Sequence, residues 1–164
     1  RSIAKGSMSM SNSVTSEMRS AYYVPETKLV RETFDSMRSM GHQMAVVIDE
    51  FGGVSGVVTL KALAEKVVGP VGEEGQAPSD EVIAIGEDSF EIDAAMLLEE
   101  ANQRLSLNLP EGDYDTLAGF LLDRLGHVPD KNERLMVDNL QFEITEIRGV
   151  KIERVLVTKL NPSS

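Results

Sequence analysis

Apolar positions along this chain switch between two periods, and the switches mark out its elements. Val30, Phe34, Met37 and Met40 recur at three- and four-residue spacing, the pattern of a helix with one buried face. Thr27 stands where it can cap that helix and Gly41 where it can stop it. Met44–Ile48 and Val54–Val58 are short apolar runs rich in β-branched residues, separated by Asp49-Glu50-Phe51-Gly52-Gly53. Such a pair reads as a β-hairpin, with Gly52 and Gly53 supplying the positive φ angles of the turn. Thr59 follows at an N-cap position. Leu60, Leu63, Ala64 and Val67 then put an apolar stripe on a helix from Leu60 to Val68, ended by Gly69-Pro70. Ahead of these, Ala21–Val24 is a short strand closed by Pro25, so the predicted order is β-α-β-β-α.

The second half of the chain repeats the logic with different elements. Val82–Ile85 and Ser89–Ile92 are two short strands around a turn. Asp93 is placed to cap a helix running to about Leu105, with Met96 near its start and Leu97, Leu98, Ala101 and Leu105 facing inward. After the loop Leu109–Gly112, Asp115 or Thr116 starts a helix to Leu125, stopped by Gly126. Three strands close the pattern, Arg134–Val137, Leu140–Glu146 and Val150–Thr158, turning at Asp138-Asn139 and Arg148-Gly149. Alternation at Leu140, Phe142 and Ile144 marks a half-buried antiparallel sheet. The fold class is therefore α+β, a β-α-β-β-α unit over residues 21–71 followed by a small α+β domain over 82–160 with an antiparallel sheet and two helices. Residues 72–81, rich in Gly and acidic residues, read as a linker, and the Ser- and Met-rich residues 1–20 as another, with a short helix near Thr15–Arg19.

Composition narrows the chemistry. The 164 residues carry a net charge of −11, and the excess is local: residues 71–130 hold two Lys/Arg against fifteen Asp/Glu. Such a surface repels phosphate backbones, so nucleic acid is not an expected partner. No Cys is present, which excludes disulfides, thiolate metal sites and thiol nucleophiles. No apolar run reaches the roughly 18–20 residues needed to cross a bilayer as a helix.

Three stretches carry a family resemblance: VPET at Val24–Thr27, MAVVIDEFGGVSGVVTL at Met44–Leu60, and VVG at Val67–Gly69. They resemble the second CBS domain of the CorC/hemolysin C-like family, which is linked to magnesium and cobalt efflux. DYDTLAGFLLDRLGHVP at Asp113–Pro129 is similar to the family's transporter-associated domain. Together the matches span about residues 20 to 160. The resemblance implies a regulatory, non-catalytic piece at the cytoplasmic face of the membrane, attached to a membrane domain outside this sequence. It makes residues 1–20 a linker or a remnant of a first CBS domain.

The resemblance also implies a ligand, ATP or another adenine nucleotide with Mg²⁺. Tyr23, Val24 and Pro25 would line the adenine, and Thr59 would bond a phosphate or the ribose. A hydroxyl beside the free N–H groups of a helix start does favour an anion. The family's usual Asp three residues after this Thr is Ala62 here. Losing a charge-assisted contact of that kind costs about 1.5–3 kcal/mol, for which Lys61 offers partial compensation at a phosphate. Ala62 therefore supports an alternative, a ligand-free CBS module that serves dimerisation. CBS helices pack against one another, so Phe34, Met37, Leu63 and Val67 predict a homodimer through these helices.

Other chemistry is thinner. Asp49-Glu50, Glu73-Glu74 and Asp113/Asp115 are carboxylate pairs of the kind Mg²⁺ accepts, but turn and capping roles explain them equally well, and no metal site is assigned. His42 and His127 each follow a helix-ending Gly and are read as capping or surface residues. No nucleophile elbow, metalloprotease motif or phosphate-binding Gly loop is present, so no catalytic residue is assigned and the expectation is not an enzyme.

Overall fold

The structure, a computed structural model, describes residues 13–69 and 82–160. The first unit is a three-stranded sheet in the order β1-β2-β3, built from β1 (Tyr23–Pro25), β2 (Met44–Ile48) and β3 (Val54–Thr59), with helices α1 (Val30–Met40) and α2 (Leu60–Val68). β1 runs parallel to β2, and β2 pairs antiparallel with β3 through the expected hairpin. The strand expected at Ala21–Val24 is displaced toward Pro25. Tyr22 O and Glu26 N–H bond to β2, so the alternating ladder turns the backbone of Tyr23 and Pro25 to the open edge. There the missing N–H of Pro25 costs nothing.

Two turn assignments change. Only Gly52 of the pair in the hairpin has a positive φ, at 82°. Gly53 instead sits against the Asp49 carboxylate, which accepts from the N–H groups of Phe51 and Gly53 at 2.9 and 2.8 Å. Thr27 is not the cap of α1: residues 26–28 form a turn closed by Lys28 N–H to Pro25 O, and Leu29 takes the N-cap position without a side-chain bond. Gly41 ends α1 as expected, with φ 75° and His42 N–H returning to Met37 O. Near the start, Val14–Glu17 is a single 3₁₀ turn capped by Ser13.

The second unit is a five-stranded antiparallel sheet in the order β4-β5-β8-β7-β6, made from β4 (Val82–Ala84), β5 (Ser89–Asp93), β6 (Arg134–Val137), β7 (Leu140–Arg148) and β8 (Lys151–Lys159). α3 (Leu98–Leu105) and α4 (Leu117–Leu125) complete it. Its core brings together fully buried Ile92, Leu117, Phe120, Leu121, Phe142, Ile152, Val155 and Val157. α4 begins at the predicted cap, where Thr116 Oγ1 accepts from Gly119 N–H at 3.1 Å, and ends at Gly126 with φ 76°.

α3 begins later than Asp93 predicts. The 94–98 backbone is committed elsewhere: Leu98 N–H bonds Asp115 O, while Leu117 and Ala118 N–H bond Met96 O and Ala94 O. Asp93 ends β5 and caps only a turn, accepting from Ala95 N–H at 2.8 Å. Met96 is buried in that turn rather than on a helix, and Leu97, expected to face inward, is 44 % exposed. The linker expected at 72–81 lies outside the described residues.

The two units touch through the outer face of α1. Arg31 donates to the carbonyls of Val128 and Pro129 at 3.0 and 2.9 Å and pairs with Asp130 at 3.1 Å. Asp35 Oδ1 accepts from Val128 N–H at 2.9 Å, and Arg38 donates to Asp123 O at 3.1 Å. α2 packs against α4 and β8.

Candidate functional site

Residue parity across the small sheet divides the expected nucleotide residues between two faces. Val24 pairs with Val47 and Val47 with Gly56, while Ala45 pairs with Val58. Val24 and Ala45 are buried, and Val47 and Val58 pack on the core, so this is the helix side. Tyr23 pairs with Val46 and Val46 with Val57, and Met44 pairs with Thr59. These residues form the opposite face, where Tyr23, Met44 and Val57 are 58 %, 56 % and 58 % exposed. Pro25 shares it. The Val24 side chain is turned away and its main chain faces β2 in the ladder, so Val24 offers this face nothing.

Tyr23 and Thr59 thus lie on one open apolar surface, two strands across and two residues along, or roughly 12 Å apart at the usual strand dimensions. Thr59 Oγ1 is the N-cap acceptor of α2, receiving Ala62 N–H at 3.0 Å. Leu60 N–H is bonded to Gln43 O, and among the described residues Lys61 N–H has no acceptor. The hydroxyl proton of Thr59 is spare in the same place. An anion there would meet two donors and the positive end of the helix dipole. The Ala62 side chain is exposed beside it.

Lys61 does more than stand at the helix start. With Arg38 and Lys66 it lines a cleft of about 660 Å³ between the two units, opposite Asp113, Tyr114, Asp115 and Asp123. Sequence reasoning did not find this cleft, because no local signal records which face of α1 and α2 the second unit covers. The charge asymmetry was the only hint: the acidic side comes from the acid-rich stretch between 71 and 130.

The remaining candidates take structural places. The Asp49 carboxylate is spent on its own turn. His42 stacks on Tyr22, ring centroids 4.6 Å apart, and His127 lies between Leu125 O and the Glu133 carboxylate. Glu73 and Glu74 lie outside the described residues. Among the described residues, no three His, Asp or Glu side chains converge as a metal site. No described helix is long and apolar enough to cross a membrane.

Residues 13–69 match the family model of the CBS domain, and residues 83–161 match that of the transporter associated domain, CorC_HlyC. The chain belongs to the CorC/hemolysin C-like family. It is 32 % identical over 142 residues to the magnesium and cobalt efflux protein CorC of Buchnera aphidicola, covering 86 % of this chain and 49 % of that protein. The CorC of Salmonella typhimurium is also 32 % identical, over 85 % of this chain and 48 % of its own length. The chain therefore spans about half the length of these curated relatives. A solved hemolysin domain from Enterococcus faecalis is 25 % identical over 49 % of this chain and 99 % of its own, with a TM-score of 0.47. This chain carries both domains, and neither matched family is a known enzyme family.

Proposed function

We propose that this chain is the regulatory, non-catalytic part of a CorC-like magnesium and cobalt efflux protein, lying at the cytoplasmic face of the membrane. Its CBS unit senses an adenine nucleotide, ATP or a relative with Mg²⁺, on the open face of the sheet. One observation carries this reading: Tyr23 and Thr59 share an exposed apolar surface that ends at the Lys61 N–H, which has no acceptor among the described residues. The base would lie on Tyr23, Val46 and Val57, and the phosphates would meet Thr59 and Lys61. A ligand of this kind regulates an attached domain only through unequal affinity for two of its conformations.

Calorimetric titration of the chain with ATP, ADP and AMP, with and without Mg²⁺, tests the reading. Binding tighter than about 100 μM (roughly −5.5 kcal/mol) is expected for the chain, with Ala62→Asp roughly ten- to a hundredfold tighter. Absence of binding by the chain sinks it, and binding by Ala62→Asp alone would mean that this chain has lost the ligand and favours the second reading.

A second reading, a ligand-free dimerisation module, draws on the same surface. The helix residues expected at a homodimer interface are not available for one: Phe34, Met37, Leu63 and Val67 are 1 %, 0 %, 7 % and 0 % exposed within a single chain. The exposed apolar residues Tyr23, Met44, Val54 and Val57 lie instead on the sheet. Sedimentation of Val57→Asp distinguishes the two, since only a sheet-mediated dimer would fall apart.

A further inference from the structure

Arg31, Asp35 and Arg38 fall on one face of α1 at helical spacing, and each of them bonds the second domain. We propose that the transporter-associated domain is a removable cap on the helical face of the CBS unit, with this stripe as its clamp. Three features support reversibility. The clamp is made of hydrogen bonds and ion pairs whose acidic partners face solvent, Asp130 at 78 % and Asp123 at 54 % side-chain exposure. Beside it, the 660 Å³ cleft separates the start of α2 from the 113–116 segment. Across that cleft Arg38, Lys61 and Lys66, with Glu65 among them, face Asp113, Asp115 and Asp123, a net attraction that salt screens. The α1 side of the interface is polar, and polar contacts between domains of one chain allow relative motion. The contact of α2 with α4 and β8 favours the docked state and does not depend on salt screening. While docked, the cap covers the α1 face, so that face is closed to a second copy of the chain.

The Val128 amide reports the contact directly, because its acceptor, Asp35, belongs to the other domain. The Ala118 amide, bonded to Ala94 O, is a reference within the second domain. Amide hydrogen exchange of both is followed by NMR in the parent chain and in Arg31→Ala, which leaves each acceptor in place. Loss of the Arg31 bonds should speed Val128 exchange roughly ten- to a hundredfold with Ala118 unchanged. Raising the parent to about 1 M salt, where the screening length falls to about 3 Å, should act in the same direction. Unchanged Val128 exchange under both perturbations overturns the proposal. So does acceleration of Ala118 by the same factor, since the domains would then open only as one unit.

Discussion

Thr59 has two roles on this surface, helix cap and ligand contact, and substitutions can pull them apart. Its Oγ1 accepts Ala62 N–H at 3.0 Å, with backbone angles of −104° and 152° that suit an N-cap. Thr59→Ala removes the acceptor and orphans one of the first N–H groups of α2. The cost should be about 1 kcal/mol, or a fall of about 2–4 °C in Tm for a chain of this size. Thr59→Asp keeps an acceptor and places a negative charge at the positive end of the helix dipole, so its stability should stay within about 0.5 kcal/mol of the parent. Nucleotide affinity should order differently. The Ala variant loses one hydrogen bond, whereas the Asp variant sets a carboxylate against the phosphates and should bind more than about tenfold weaker than Ala. Urea unfolding by circular dichroism gives the stability order, and calorimetry with ATP and Mg²⁺ gives the affinity order. An Ala variant as stable as the parent would show that the oxygen does not cap α2. An Asp variant that binds as well as the parent would show that the phosphates do not sit at this helix start.

Two further outcomes test the packing. Phe142→Ala, at a side chain 1 % exposed in the second domain, should cost about 3–5 kcal/mol in chemical unfolding, and a loss below about 1 kcal/mol would mean the site is not packed as described. Asp49→Ala removes the acceptor of two backbone N–H groups in the β2–β3 turn and should cost about 1 kcal/mol by the same measurement.

Elements with a local cause were legible in the chain. Gly41 and Gly126 stop helices because their positive φ suits residues without a Cβ, and Thr59 and Thr116 start them because a hydroxyl can reach the third N–H. The β2–β3 hairpin and the strand Arg134–Val137 follow from apolar runs bounded by turn residues. The candidate site was legible only as a list. Strand parity, available once register is known, puts Tyr23 with Thr59 and turns the side chain of Val24 away.

What sequence alone determined, then, were the elements whose hydrogen bonds close within a few residues, together with the family they spell. Tertiary structure decided the rest, where a residue's partner is distant in the chain. Asp93 does not start α3 because residues 94–98 bond to 115–118 instead. Phe34, Met37, Leu63 and Val67 are apolar whether they face a second copy or their own core, and only the assembled chain shows them buried. Arg31 and Asp35 look like ordinary solvated charges until the turn at Val128–Asp130, almost a hundred residues away, supplies their partners. Backbone geometry is written locally, but burial and pairing belong to surfaces that form only when distant segments meet.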